Sequence, residues 1–289
     1  MSGELELLKW IHARLGKRSG RIAVDSGDDA AVLKFGRERI LFKVDSVLEG
    51  VHFRRNDPPE WVGHKALARP LSDIAAMGGV PVGALAALMM PRSMPMARAK
   101  LIYRGMEKLG VPVVGGDIST HPGKLAISVS VLGDMRGARP VLRSGAKPGD
   151  VLMVTGPLGG SIRGKHLKFE PRLEEGRIFA TRLRVHAMID ISDGFARDLG
   201  HLCEASGVGA TLFGPAIPTM TGSSIKGALY DGEDYELIIA APPATAAMID
   251  REGLGISVGM VRSGRGIRMY DNDGLVAVIG PHGYEHKLG

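Results

Sequence analysis

The sequence predicts a mixed α+β protein with two domains. Strand-like and helix-like segments follow one another without the strict β–α alternation of a doubly wound sheet. The 289 residues are enough for two domains of ordinary size, and a hydrophobic content of 44% is typical of a chain that packs a core. Glycine and proline cluster in "RSGAKPGD", residues 143–150, directly before the strand-like "VLMVTG". This pattern predicts a domain boundary near residue 147, with domains over 1–146 and 147–289.

The first domain begins with apolar residues at helical spacing, which predict a helix over residues 5–15. The β-branched and aromatic residues of "RIAVDSGDDAAVL" and "RILFKVDSVLEGVHF" predict two strands with a polar connection. Helical spacing returns over 61–77, with a break or restart expected at Pro70, which lacks the N–H that a helix interior needs. A restart there places Asp73 in a first turn, where the helix dipole favours a carboxylate. Three further elements are predicted: a strand at "ALAALMM", a helix over 96–109 and a strand at "KLAISVSVLG".

The second domain contains one strongly amphipathic helix. Its apolar stripe includes Phe195 and Cys203 and ends at Gly207, so Cys203 is expected in the core. Ser192 and Asp193 are expected to cap its amino terminus. The remaining elements are a strand at "YELIIAAPP", a helix over 244–252 and a hairpin around "DNDG".

Composition excludes some classes of function. Lys and Arg number 37 against 31 Asp and Glu, a net charge of +6 that suits nucleotides, nucleic acid or solubility alone. The basic residues are scattered and aromatic residues make up only 5%, which disfavours nucleic-acid binding. A single cysteine excludes an internal disulfide and a multi-cysteine zinc site. The longest apolar stretch, "VPVGALAALMMP", is about half a bilayer crossing. A soluble, cytoplasmic protein without a membrane span is expected.

Aspartates recur in segments that end strands or form turns. They are Asp28 and Asp29, Asp45, Asp73, Asp117, and Asp190 and Asp193. If these side chains converge, their mutual repulsion requires a divalent cation, and all-oxygen ligands suit Mg²⁺. Taken one at a time, each segment is also explained as an ordinary turn or helix cap. The glycine-rich "VVGGD" adds backbone N–H groups that can approach a phosphate.

One motif imitates a phosphate-binding P-loop. "GGSIRGKH", residues 159–166, has the spacing G-x-x-x-x-G-K, but His166 stands where a hydroxyl residue must reach magnesium. Pro171 leaves little room for the helix that a P-loop needs. The sequence therefore favours a solvated basic loop, although Arg163 and Lys165 remain available to an anion.

The chain resembles the thiamine-monophosphate kinases. The resemblance rests on eight motifs in the family's order: "SGDDAAVL", "VDSVLEGVHF", "KALARPLSDIAAMGG", "GGDIST", "RSGAKPGD", "VTGPLG", "AMIDISDG" and "GEDYEL". It implies a two-domain synthetase/kinase fold, with amino-terminal domains that pair into a dimeric β-barrel and a carboxy-terminal α/β sandwich. ATP is then expected between the two domains. The family reaction is Mg²⁺-dependent transfer of the ATP γ-phosphoryl group to thiamine phosphate, which gives thiamine diphosphate and ADP.

The resemblance also implies roles for individual residues. The magnesium ligands are expected to be Asp29, Asp45, Asp73, Asp117, Asp190 and Asp193, of which Asp73 and Asp193 are the catalytic candidates. ATP contacts are expected from Tyr103, Gly116, Asp117, Arg143 and Ser192. Thiamine phosphate is expected to meet His52 and Glu233, whereas Asp28 is expected to be structural.

Departures from the family pattern leave alternatives open. Lys43 and Val44 replace hydroxyl residues before Asp45, so an ammonium group among the carboxylates and fewer metal ions are expected. Pro281 stands where an aromatic residue often stacks on the thiamine ring, and "GKHLKFEPR" replaces a longer helical insertion. The alternatives are another synthetase or kinase of the superfamily, of the aminoimidazole-ribonucleotide synthetase type, and a nucleotide-binding module without turnover. Selenophosphate synthesis is disfavoured, since the chain lacks an amino-terminal cysteine.

Overall fold

The computed structural model describes residues 7, 10, 11, 20–271, 273, 274 and 276–284. The helix predicted over residues 5–15 lies mostly outside the described residues, although residues 7, 10 and 11 are helical. Within the part of the chain that the structure describes, no helix combines the length and the apolar composition that a bilayer crossing needs.

The first half of the chain forms a six-stranded sheet. Its strands are β1 (Ile22–Val24), β2 (Ala31–Phe35), β3 (Glu38–Leu48), β4 (Val80–Pro91), β5 (Val113–His121) and β6 (Ala126–Asp134). They lie in the order β1-β2-β3-β6-β4-β5, and only β4 and β5 are parallel. The prediction of a single strand over residues 21–33 is therefore wrong. It divides into β1 and β2 around a turn that carries Asp28 and Asp29.

Two helices, α1 (Pro59–Ala76) and α2 (Met96–Glu107), belong to the same half of the chain. Buried residues of α1 share one apolar core with Ile127, Val129 and Val131 of β6, which point to the same face as predicted. The two helices also approach each other closely. A Cβ atom at Gly63 would lie 1.8 Å from the carbonyl oxygen of Ile102, so only glycine permits this packing.

Pro70 does not break α1, and the predicted restart at this residue is wrong. The helix runs through Pro70 because both neighbouring turns are anchored in the core: Leu67, Leu71 and Ile74 are fully buried. Burial of three large side chains, at about 1.5–3 kcal/mol each, outweighs the roughly 3 kcal/mol that an interior proline costs. Asp73 therefore lies in the last turn of α1, where the helix dipole disfavours its negative charge.

The second half forms a seven-stranded sheet. Its strands are β7 (Val151–Val154), β8 (Ala187–Asp190), β9 (Gly209–Phe213), β10 (Leu237–Ala241), β11 (Ile256–Arg262), β12 (Ile267–Tyr270) and β13 (Val276–Ile279). Their order is β13-β12-β9-β11-β7-β10-β8, and only β12 and β9 are parallel. The strands of the two sheets come from either side of residues 135–150. The boundary near residue 147 stays a prediction.

Helices cover both faces of the second sheet. The described helices are α3 (Leu173–Ile178), α4 (Phe195–Ser206), α5 (Ile225–Tyr230) and α6 (Pro243–Arg251), with a π turn at Phe179–Leu183 and 3₁₀ turns at Ser161–Arg163, Lys165–Leu167 and Gly214–Ala216. One core packs α4 against the sheet, and a second packs α6 and the π turn against the opposite face. Alternate residues of β7 and β10 supply the two cores, as a sheet buried on both faces requires.

Three sequence predictions in this half are confirmed. Helix α4 ends at Gly207, whose φ of 68° suits glycine, and Cys203 is buried in the core. β12 and β13 pair antiparallel on either side of "DNDG", as expected for a hairpin.

Candidate functional site

Three buried carboxylates meet where the two halves of the chain touch. Asp29 lies in the turn before β2, Asp73 in the last turn of α1 and Asp190 at the end of β8. Each offers an oxygen atom, and these three atoms lie within 4.8 Å of one another. Residues 44 to 161 positions apart in sequence thus form one acidic cluster.

Neighbouring polar groups hold this acidic cluster in place. Ser72 donates its hydroxyl to Asp190 Oδ2 at 2.7 Å. Arg143 donates from Nη2 and Nε to Asp29 Oδ1 at 2.7 and 3.2 Å. The backbone N–H of Arg143 donates to both oxygens of Asp28 at 3.3 Å, and Asp28 is not among the three clustered carboxylates.

Two carboxyl groups of the acidic cluster, those of Asp73 and Asp190, have raised pKa values. Burial, followed by the charge of Asp29, raises the pKa of Asp190 to about 7. Burial also raises the pKa of Asp73 well above its usual value, and the charges of Asp45 and Asp190 act in the same direction. Asp29 Oδ2 is buried and has no hydrogen-bond partner among the described residues. These carboxylates suit a bound cation, because a cation would relieve the repulsion and satisfy the unpaired oxygen.

Lys43 places an ammonium group among the carboxylates, as the sequence suggested. Its Nζ lies 2.6 Å from Asp73 Oδ1 and 3.9 Å from Asp45 Oδ2. Burial opposes its charge, but the charges of Asp73 and Asp45 raise its pKa overall. Lys43 therefore stays protonated and supplies a positive charge beside Asp73.

Asp117 and Gly116 lie on the edge strand β5, away from the acidic cluster. Asp45 pairs with Val129, Val129 with Ala86, and Ala86 with Gly116, so Gly116 is three strands from Asp45, about 14 Å. Side chains alternate along a strand, so Asp117, the next residue, points to the face of the sheet opposite to that of Asp45. A single chain therefore does not bring Asp117 together with Asp29, Asp73 and Asp190.

Tyr103, the other expected ATP contact in this half, is exposed on α2. Its hydroxyl donates to the carbonyl oxygen of Val113 at 3.4 Å.

Asp198 is a residue that the sequence reasoning missed. Its Oδ2 accepts the backbone N–H groups of Ser192, Asp193 and Gly194 at 3.0, 3.0 and 3.2 Å. The predicted cap by Ser192 and Asp193 is wrong, because Gly194 is the N-cap residue and offers no side chain. The available signal was an aspartate in the first turn of α4, where a carboxylate can reach back to free N–H groups.

The side chain of Asp193 stays partly exposed at the start of α4. One of its oxygens lies 3.5 Å from Nε of Arg197. Asp193 thus faces the solvent side of the loop that follows Asp190, next to the acidic cluster.

A second polar cluster surrounds the fully buried ammonium group of Lys65. Its Nζ lies 2.7 Å from the carbonyl oxygen of His52, 2.8 Å from His166 Nδ1, and 2.7 and 2.8 Å from the carboxylate oxygens of Glu233. His52 Nδ1 accepts the N–H of Leu48, so in the neutral ring its proton is on Nε2. The two residues expected to meet the acceptor, His52 and Glu233, are thus joined through one lysine.

The Lys65–Glu233 pair is charged at neutral pH. Burial lowers the pKa of Lys65 to about 8, although Glu233 opposes the shift. Burial disfavours the charge on Glu233, but hydrogen bonds from His166 and Lys65, together with the charge of Lys65, lower its pKa to about 2. A pH of 7 lies between these values, so both groups are ionised.

Residues 231–236, "DGEDYE", connect the two clusters. Glu233 donates its N–H to the carbonyl oxygen of Ser192 at 2.8 Å, and Tyr235 donates to that of Ile191. Glu233 and Tyr235 have φ angles of 55° and 52°, a costly conformation for residues with side chains. The Tyr235 ring stacks on Phe169 with centroids 3.9 Å apart, which helps to hold this backbone.

The P-loop-like motif does not bind phosphate with its amides. Gly159 donates its N–H to Asp234 at 3.0 Å, and Gly160 donates to Asp231 at 2.9 Å, so carboxylates of the chain already occupy this position. The rejection of a P-loop is confirmed. The expectation of a solvated basic loop is wrong for Lys165, whose Nζ lies 2.7 Å from a carboxylate oxygen of Glu236.

Known proteins resemble this chain in sequence over most of its length. Residues 27–135 match the family described as AIR synthase related protein, N-terminal domain. The thiamine-monophosphate kinase of Rhodopirellula baltica is 37% identical, over 88% of this chain and 87% of that protein. The same enzyme of Bacillus subtilis is 34% identical, over 81% and 82%.

A solved structure of AaThiL complexed with AMPPCP and TMP superposes with a TM-score of 0.86 and 30% identity, and covers 98% of this chain and 96% of that one. The likeness extends over nearly the whole chain and so over both sheets. The chain therefore belongs to the thiamine-monophosphate kinase family.

Proposed function

We propose that the protein transfers the γ-phosphoryl group of ATP to thiamine phosphate, which yields thiamine diphosphate and ADP. The observation that carries the proposal is the buried acidic cluster of Asp29, Asp73 and Asp190 beside the Lys65–Glu233 pair. A reaction between two polyanions needs cations at one place and a positioned acceptor at another. Membership of the family supplies the identity of both reactants.

Mg²⁺ is the cation that we propose for the acidic cluster. Asp29, Asp73 and Asp190 would hold it, and Asp45 Oδ2 lies 3.9 Å from Lys43 Nζ. An ion held by these residues would supply positive charge against the negative charge of the transferred phosphoryl group. Lys43 already neutralises part of the negative charge of the carboxylates. We therefore propose that this site holds fewer metal ions than a site that has hydroxyl residues before Asp45.

The remaining groups position the nucleotide. Arg143 presents a planar guanidinium group next to Asp29 and can turn its free N–H groups to a phosphate. Ser192 and Asp193 lie on the loop whose backbone N–H groups Asp198 accepts, and we assign Ser192 to a contact with ATP. We assign Tyr103, Gly116 and Arg143 to ATP contacts as well. No covalent protein intermediate is needed.

The acceptor is assigned to the second cluster. Lys65 holds the His52 backbone and the Glu233 carboxylate at fixed distances, and we assign both residues to contacts with thiamine phosphate. Glu233 remains an anion at neutral pH and suits the positively charged thiazolium ring of thiamine phosphate.

A homodimer is proposed from the outer face of the first sheet. Phe42, Val44, Leu85 and Leu132 are exposed there, and their strand register places them side by side. Among the described strands the sheet is open, with β5 at one edge. A second copy that covers this face would close the sheets into a barrel and meet Asp117. Val44→Glu should convert the dimer to a monomer in light scattering; an unchanged mass would refute this assignment.

The reaction is tested by incubation with ATP, Mg²⁺ and thiamine phosphate and by detection of thiamine diphosphate. The second candidate is a nucleotide-binding module without turnover, which the Lys43 ammonium group in the acidic cluster favours. It predicts that ATP raises the melting temperature while no product forms. Since the chain has a single cysteine, we also propose that the protein works in the reducing cytoplasm.

A further inference from the structure

A cleft of about 720 Å³ lies beside the second cluster and opens to solvent. Its walls come from the loop after β3, the first turn of α1 and the two 3₁₀ turns at 161–167. His52 and His166 lie on its buried side, and both contact Lys65. The cleft is therefore continuous with the groups assigned to the acceptor.

The outer wall of this cleft is unusually apolar for a surface. The Trp61 side chain is 37% exposed and Ile162 is 57% exposed. Trp61 lies one helical turn before Lys65 on α1, so both project from the same side of the helix. An aromatic face thus stands at the entrance to the cluster that holds Glu233.

The face of Trp61 already receives a cation. Lys168 Nζ lies 4.2 Å from the ring centroid, a distance at which the negative face of the indole attracts positive charge. Lys168 is exposed, so a ligand that approaches from solvent can displace its ammonium group. The geometry shows that this ring is open to a positive group from the solvent side.

Charges around the cleft favour a ligand that carries both signs. Asp57 supplies a negative charge on the cleft wall, and Glu233 contacts the lining residue His166 at 3.1 Å. Arg54 and Arg163 line the same cleft and supply positive charge. A flat organic cation joined to a phosphate matches this combination: the cation would meet the indole near the negative charge of Asp57, and the phosphate would meet guanidinium groups and His52.

Pro281 does not provide the missing aromatic surface. It packs against Gly200 on α4, where an added Cβ atom would lie 2.9 Å from the Pro281 Cβ atom. Pro281 is not among the residues that line the cleft.

We propose that Trp61 is the aromatic platform for the cationic ring of the acceptor and that this ring displaces the Lys168 ammonium group. The assignment rests on the proposed function for the identity of the acceptor as thiamine phosphate. It makes Trp61 a determinant of specificity that lies on α1, far in sequence from the carboxy-terminal segment.

Binding is measured by fluorescence, because the chain contains only two tryptophans, Trp10 and Trp61. In a Trp10→Phe background, thiamine phosphate should quench Trp61, and inorganic phosphate should not. Trp61→Ala should raise the dissociation constant for thiamine phosphate about tenfold by calorimetry, whereas Trp61→Phe should raise it no more than about threefold. The dissociation constant for ATP should change less than about twofold in both.

Lys168→Gln gives an independent readout without loss of the ring. Removal of the competing ammonium group should tighten thiamine phosphate about two- to threefold and leave ATP binding unchanged. A variant in which thiamine phosphate binds more weakly would overturn the displacement. This substitution is on the surface, so it is expected to fold normally even if Trp61→Ala does not.

The outcomes separate this inference from the proposed function. If the wild-type protein forms thiamine diphosphate and Trp61→Ala leaves the KM for thiamine phosphate within twofold, the platform is wrong and the reaction stands. If no product forms but thiamine phosphate quenches Trp61 and Trp61→Ala weakens its binding, the platform stands and the reaction is wrong. If thiamine phosphate neither binds nor reacts, both are wrong.

Discussion

Replacement of Glu233 by glutamine should destabilise the protein by about 2–3 kcal/mol at pH 7. The pKa of Glu233 falls from 4.5 in an ordinary environment to about 2 in the folded chain, a difference worth about 3 kcal/mol. Its side chain is 22% exposed, so solvent screening is limited. Glutamine keeps a carbonyl oxygen that accepts from Lys65, and Lys65 can also release its proton because its pKa is only about 8. Because of these two effects, the expected loss of stability is smaller than the full value of about 3 kcal/mol.

The pH dependence gives this prediction its sign. A carboxyl group with a lowered pKa in the folded state stabilises that state above pH 4.5, and the contribution is lost as the pH falls towards 2. The difference between wild type and Glu233→Gln should therefore shrink to about 1 kcal/mol at pH 3. The difference is measured as the free energy of unfolding of both proteins, from urea titrations at pH 7 and at pH 3.

Glu60→Gln is the matched control. Glu60 pairs with Lys108 at 3.3 Å on the surface, and such exposed pairs contribute about 0–1 kcal/mol. Its substitution should change stability little at either pH. If Glu233→Gln costs as little as the control at pH 7, or costs the same at pH 3 as at pH 7, the charged Lys65–Glu233 pair is not what stabilises residues 231–236.

Three further predictions test other parts of the structure. Asp73→Asn should lower turnover at least about 100-fold and leave the circular dichroism spectrum unchanged, since it keeps the shape of a crowded carboxylate and removes its charge; substantial residual activity would contradict the cation site. Gly116→Ala should lower the melting temperature far more than Gly20→Ala, because a Cβ atom at Gly116 would lie 1.8 Å from the carbonyl oxygen of Ala86, whereas Gly20 has open space; equal shifts would refute this. Burial raises the pKa of Cys203 to about 11, so a thiol reagent at pH 8 should label the folded protein slowly and the urea-unfolded protein quickly; equally rapid labelling would show that Cys203 is accessible.

Local patterns in the sequence were sufficient for most elements. The alternation at residues 125–131 correctly identified the inner face of β6, and Gly207 correctly marked the end of α4. The sequence wrongly predicted a break in α1 at Pro70. Local sequence does not show that both adjacent turns of the helix are buried in the core. The prediction was also wrong at the start of α4, where the capping group is a carboxylate one turn further along the chain.

The site was predictable as a set of residues and unpredictable as a geometry. The motifs pointed to Asp29, Asp73 and Asp190, and the structure brings these three together. Asp117 appeared equivalent in sequence, yet strand order and register place it on the other face of the sheet. The ion pair between Lys65 and Glu233 joins residues 168 positions apart and left no local signal.

The sequence by itself determined the element types, the absence of disulfides and the family, because these depend on residue type, periodicity and ordered motifs. Only the tertiary structure decided which carboxylates share one space, which cation neutralises them and which aromatic ring faces the cleft. These properties arise from contacts between residues distant in the chain, and such contacts depend on strand register and helix packing. Burial then changes the pKa values. Asp190 would be an ordinary acid in water, but its pKa is raised where it is buried beside two other carboxyl groups.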